Sequence, residues 1–137
     1  MLLGSRFLVK WLVAFLLLVF MDMVWLKLSF NTVYKPQFMA IQKRLFFRIW
    51  SAICVWLLLA FGIAFFSTII VNLPSYQNAY IGMLLGLIIY GTYNFTNYST
   101  LVGYKLNVAV LDTIWGCFVI GMAFWLTTLF FKPQRNT

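Results

Sequence analysis

"IWSAICVWLLLAFGIAFFSTIIV", Ile49 to Val71, contains no charged side chain. The hydrocarbon core of a bilayer is about 30 Å thick and takes about 20 helical residues to cross, so this run, with Phe46 and Phe47 ahead of it, is long enough to span. A strand reading fails on the same residues. They are too many and too evenly apolar to alternate, and a barrel would need many alternating segments. Three further runs qualify: roughly Phe7 to Leu28, Ala79 to Asn97 and Val108 to Phe131. Composition agrees, with 64% hydrophobic and 9% charged residues against roughly a quarter charged in soluble domains. The expected fold is all-α, an integral membrane four-helix bundle with up-down topology. Residues 1–137 are expected to form a single transmembrane domain with helices over roughly 7–28, 46–71, 79–97 and 108–131.

Arg6 and Lys10 ahead of an apolar run imitate a signal peptide. No small-residue cleavage site follows, and "MDMVWLKL" does, so this segment is read as a helix of the mature protein. The first connection, about Ser29 to Leu45, is long and basic. The second, "NLPSYQN", is a turn marked by Pro74, and the third, "LVGYKLN", is short, which makes the last three spans antiparallel neighbours.

Ten Lys and Arg face two acids, Asp22 and Asp112, both inside apolar runs. Lys27, Lys35, Lys43, Arg44, Arg48 and Lys105 fall on the side of the first and third connections, and Arg6, Lys10, Lys132 and Arg135 on the other. Six against four places both termini on the non-cytoplasmic side of a multi-pass protein. The surplus implies anionic headgroups of the bilayer as a partner, and at this hydrophobicity it speaks against nucleic acid. In "YKPQFMAIQKRLFF", Phe38, Ile41 and Leu45 recur at helical spacing with Gln42, Lys43 and Arg44 opposite. Either an interfacial helix or a juxtamembrane loop accounts for that pattern.

Two tetrads share a pattern, "DMVW" from Asp22 to Trp25 and "DTIW" from Asp112 to Trp115. Residues three apart lie on one helix face, so each aspartate is expected to have its own tryptophan beside it. On the third span Tyr90, Tyr93, Asn97 and Thr100 follow spacings of three, four and three. Thr92, Asn94 and Thr96 lie alongside. In an up-down bundle the end of the first span, the end of the third and the start of the fourth share one membrane face. Asp22, Trp25, Tyr90, Thr92, Tyr93, Asn94, Thr96, Asn97, Thr100, Asp112 and Trp115 are therefore expected to converge there. Energy favours convergence, because an Asp exposed to acyl chains costs about 2.5 to 3.5 kcal/mol even on the lenient scales. Tyrosine hydroxyls, indole N–H groups and amides can donate to the carboxylates. Gly82 and Gly86 form a small-xxx-small pair and Gly116 lightens the fourth span, which lets backbones approach.

Cys54 and Cys117 sit in apolar runs in a chain without histidine. No zinc site or histidine-ligated haem is available, and the thiols are expected to pack as small hydrophobes.

"MDMVWL", "VYKPQF", "YGTYNFTNYSTLVGYKL" and "VLDTIWG" resemble, in order and spacing, the small membrane proteins grouped as domain of unknown function 2177. The likeness covers nearly the whole chain. It implies four transmembrane helices and no established activity. Asp22, Trp25, Tyr34, Tyr90, Thr92, Tyr93, Thr96, Asn97, Thr100, Asp112, Trp115 and Gly116 match the family pattern, whereas Asn94 stands where an aspartate is usual.

Three function classes follow. The first is a structural protein or accessory subunit of a membrane assembly, with a membrane-protein partner or a second copy. The alternative is binding or translocation of a proton, cation or small polar molecule, with the two aspartates as charge carriers. A lipid-modifying enzyme is third, since paired carboxylates can do acid and base work. No nucleophile–base pair, metal set or phosphate loop accompanies them, so no catalytic residue is assigned and no cofactor or metal is expected.

Overall fold

The computed structural model describes residues 4–70 and 73–131. The expected end of the second span at Val71, and the cations Lys132 and Arg135, lie outside the described residues.

The first helix, α1 (Ser5–Ser29), does not stop where the basic connection was expected to begin. It passes through one π-helical turn, Phe30–Tyr34, into α2 (Lys35–Gln42). Pro36 explains the turn. Its ring would collide with the carbonyl four residues back, and it has no N–H for the ladder. Widening to a five-residue hydrogen bond, from the Lys35 N–H to the Phe30 carbonyl, carries the helix past it. Ser29 and Thr32 hydroxyls take up the Trp25 and Ser29 carbonyls at 2.6 and 3.2 Å. Of the two readings of this stretch, the helical one describes residues 35–42. Lys43, at φ 58°, ends α2 in the left-handed region.

Phe46, Phe47 and Arg48 belong to the connection rather than the span, and α3 covers Ile49–Ile69. Pro74 precedes α4 (Ser75–Thr100), which is longer than expected at both ends, and α5 covers Leu106–Phe130. Between α4 and α5, Gly103 adopts φ +88°, and a Cβ there would sit 3.3 Å from the Ala40 carbonyl oxygen.

Long-range contacts set the directions. Trp11 reaches the Leu57 carbonyl and Lys10 the Ser67 carbonyl, so α1 and α3 are antiparallel. Gly82 meets Phe124 and Gly86 meets Gly116, so α4 and α5 are too. The protein is an all-helical up-down bundle with α5 at its centre, packed against α1, α3 and α4. Ala14 and Leu18, Ala60 and Ile63, and Val119, Ile120, Ala123 and Phe124 form a core with 0% exposure across the middle of the bundle. The outer faces of α1 and α3 are apolar, with Leu12, Leu16, Phe20, Leu58 and Phe66 exposed. Helices α1, α3 and α5 are long and apolar enough to cross a membrane. Helix α4 matches them in length and differs by the tyrosines, threonines and asparagines of its second half.

The α4–α5 seam is a backbone contact. A Cβ on Gly86 would lie 2.3 Å from the Gly116 carbonyl oxygen, and one on Gly82 would lie 2.9 Å from the Gly121 Cα. Only glycine permits that approach.

Candidate functional site

The antiparallel packing brings Asp22 of α1 and Asp112 of α5 to the same end of the bundle. Each carboxylate oxygen has a donor. The Trp56 and Trp115 indole N–H groups donate to Oδ2 and Oδ1 of Asp22 at 2.7 and 2.8 Å. The Tyr34 hydroxyl donates to Oδ1 of Asp112, and the Asn94 amide donates to Oδ2 at 2.8 Å. Trp25 Nε1 donates to the Tyr34 oxygen at 2.8 Å, and the Tyr104 hydroxyl donates to Asn94 Oδ1 at 2.6 Å. All of these donors are uncharged. Asn94 is fully buried, and both aspartates, Trp25, Tyr34, Tyr90 and Trp115 are half-buried.

The two tetrads interlock rather than closing on themselves. The expected pairing of each aspartate with the tryptophan three residues on is replaced by an exchange. Trp115 serves Asp22, and Trp25 serves Asp112 through Tyr34. The indoles of Trp25 and Trp115 stack between them, with centroids 4.6 Å apart and planes at 6°. Parallel rings at that distance suit offset stacking. The cause is the tertiary contact: α1 and α5 run side by side, so an indole from either reaches its neighbour's carboxylate.

Helix α4 turns only part of its polar stripe inward. Its buried positions Asn78, Gly82, Gly86 and Asn94 recur at multiples of four, and Tyr90, half-buried, completes the row. Tyr90 lies with its ring on Gly116, where a Cβ would be 2.1 Å from Tyr90 Cγ. Because the glycines press against α5, the meridian through them fixes which side chains face in. The expected line of Tyr90, Tyr93, Asn97 and Thr100 is therefore broken. Tyr93 is 60% exposed, Thr92, Thr96 and Thr100 are exposed, and Asn97 is half-buried. The Thr100 hydroxyl returns to its own helix at the Thr96 carbonyl, 2.8 Å away.

Three participants lie outside the set expected from the sequence: Trp56, Tyr104 and Gln37. Trp56 offered a signal, an indole N–H inside an otherwise apolar run, which needs an acceptor when buried. Gln37 is 2% exposed, its amide nitrogen donating to the Gly103 carbonyl at 3.1 Å and its oxygen accepting the Lys105 N–H at 3.0 Å. It fastens α2 to the α4–α5 loop. Tyr34, one of the residues that match the family pattern, donates its hydroxyl to Asp112.

Residues 7–129 match the family of domain of unknown function 2177 (DUF2177), described as a predicted membrane protein. The chain belongs to that family. No curated protein and no solved structure matches it. The DUF2177 chain is thus a membrane protein in contact with the lipid bilayer, with three candidate spans among the described residues and no activity evidenced for its family. In this DUF2177 member, Tyr104 lies in the α4–α5 loop, and burial, helped by Tyr93 and Asp112 and opposed by Asn97, pushes its hydroxyl up to about 12. It therefore remains a donor to Asn94 at neutral pH. Cys54 and Cys117 are free thiols. Among the described residues no group of three or more Cys, Asp or Glu is placed to hold a metal ion.

Proposed function

We propose that this protein is a structural or accessory component of a membrane assembly, and that the aspartate–tryptophan–tyrosine–asparagine cluster is the lock that holds its helices in one arrangement. One observation carries the reading. Every long helix contributes to a cluster of two hydrogen-bonded groups joined through the Trp25–Trp115 stack, and all four carboxylate oxygens have donors within it. A cluster supplied by α1, α3, α4 and α5 is complete only when all are seated, with α3 held through Asp22 and α4 through Asp112, so it selects one packing over others in lipid, where apolar faces discriminate little. Polar contacts in membranes average only about 0.6 kcal/mol and reach about 1.7, so specificity rather than gross stability is the gain.

A second reading is a one-sided site for a proton or a cation. In its favour, among the described residues no Lys or Arg answers either carboxylate, whose donors are all uncharged. Passage across the bundle is less favoured, because the core of Ala14, Leu18, Ile63, Ile120 and Phe124 fills its middle and the glycine seam closes the α4–α5 side. In this reading, the six-against-four distribution of Lys and Arg orients the termini to the non-cytoplasmic side and turns the cationic connections toward anionic headgroups. A membrane-protein partner or a second copy would meet the outer face of α4, where Thr92, Tyr93 and Thr96 point away from the bundle.

Asp22→Asn and Asp112→Asn in the reconstituted protein separate the readings. The lock predicts lower thermal stability with no change in proton or cation flux across proteoliposomes. A flux present in the native protein and lost in both variants would replace the lock with the second reading.

A further inference from the structure

The end of the bundle beyond the cluster carries cations and exposed rings that neither the lock nor the core uses. Lys27, Lys35, Lys43, Arg44, Arg48 and Lys105 are all exposed. They come from α1, α2, the 43–48 connection and the α4–α5 loop, and specific contacts gather the last three segments. Gln37 fastens α2 to Gly103 and Lys105. Phe47 packs its ring against Phe38 at 5.6 Å and Phe30 at 5.9 Å, which folds the 43–48 connection back on α2 and the π turn. Beside these cations Phe46 is 60%, Trp50 67% and Ile49 72% exposed. The Arg48 guanidinium lies 5.8 Å from the centre of the Phe46 ring.

Among the described residues no carboxylate answers this charge. The chain has two acids, and both are committed to uncharged donors inside the bundle. We propose that this face is a docking surface for anionic phospholipid headgroups. It is formed by α2, the 43–48 connection and the α4–α5 loop. Arg44 and Arg48 take phosphate oxygens as planar two-pronged donors, the lysines add point charge, and Phe46, Ile49 and Trp50 enter the boundary between headgroups and acyl chains. Charge complementarity and the exposed rings together select this occupant. A soluble polyanion would satisfy the cations and leave those rings in water, whereas a bilayer surface takes both. The proposal rests on the membrane placement of the chain and not on the lock.

The test uses the whole protein in phosphatidylcholine vesicles containing either brominated phosphatidylglycerol or brominated phosphatidylcholine, read by quenching of tryptophan emission. Trp50→Phe isolates the contribution of Trp50 from the other indoles. The expected result is stronger quenching by the anionic lipid at equal mole fraction, declining as salt is raised. The triple variant Lys43→Gln/Arg44→Gln/Arg48→Gln should lose that preference by roughly fivefold per charge at low salt. Equal quenching by both lipids in the native protein, or an undiminished preference in the triple variant, would overturn the proposal. So would loss of the preference on adding inorganic phosphate at constant ionic strength, which would make this a free-phosphate site. Should the triple variant fail to insert, Lys35→Gln/Lys105→Gln tests the same surface from the other segments. Asp22→Asn leaves the preference intact, so failure of the lock and failure of this surface are separate results.

Discussion

Gly86→Ala is the sharpest probe of how the seam and the cluster depend on each other. The new Cβ would lie 2.3 Å from the Gly116 carbonyl oxygen and 3.0 Å from the Cys117 Cα. These are backbone atoms of a central helix, with no flexible side chain to give way. An ordinary contact is about 3.5 Å, so α4 must retreat by about 1 Å. The Asn94 amide reaches Asp112 at 2.8 Å from two turns along the same helix, and that retreat carries it beyond the limit of about 3.2 Å for a good N–H···O bond. Overpacking costs about 1 to 3 kcal/mol, and the lost bond about 0.6 to 1.7. Alanine returns at most about 1 kcal/mol of helix propensity, which leaves a net loss of roughly 1 to 4 kcal/mol. Gly62→Ala on α3 is the control, since a Cβ there meets nothing within 4 Å, and it should be neutral or stabilising by up to about 1 kcal/mol. Thermal or denaturant unfolding of the purified protein in a fixed detergent measures both. If Gly86→Ala proves as stable as Gly62→Ala, the backbone contact between α4 and α5 is not there.

Trp56→Phe and Trp115→Phe each remove one donor to Asp22 and should each cost about 0.6 to 1.7 kcal/mol, with Trp115 the larger because it also carries the stack on Trp25. The double variant should lose more than the sum, because it leaves one carboxylate with no donor; strict additivity in the cycle would mean that the two indoles do not share it. Gln37→Leu strips two backbone partners from the α2 clamp and should cost about 1 to 3 kcal/mol, with the Lys105 amide exchanging faster by hydrogen-exchange mass spectrometry; unchanged exchange there would contradict the clamp. The Tyr104 hydroxyl is raised by burial from about 10 in the unfolded chain to about 12. Its contribution is therefore fully present below pH 10 and fades as pH rises through 12. Tyr104→Phe should flatten that alkaline limb of stability, and an identical limb in the variant would show that another group causes it.

Much of the architecture follows from hydropathy alone. Runs such as Ile49 to Ile69 must be helical in lipid because every backbone N–H and C=O needs a partner within its own segment. With four such runs and short later connections, the up-down order and the shared end of Asp22, Asn94 and Asp112 follow. Hydropathy could not foresee α1 continuing to Gln42, because the widened turn that carries a helix past Pro36 is a choice among ways of relieving one local clash.

Spacing likewise said that α4 bears a polar stripe, but not which meridian faces inward. Tyr93 and Asn94 differ by about 100° around a helix, and only the pressing of Gly82 and Gly86 onto α5 decided that Asn94 is buried and Tyr93 exposed. The tetrads make the same point: a three-residue interval placed each aspartate and tryptophan on one face, whereas the neighbouring helix decided whose carboxylate each indole serves. Composition and periodicity determine which segments are helices and which ends meet, because those depend on local bonding and on the thickness of lipid. Partner choice within the cluster depends on rotation and separation of helices to about an ångström, and that is set by backbone contacts distant in sequence.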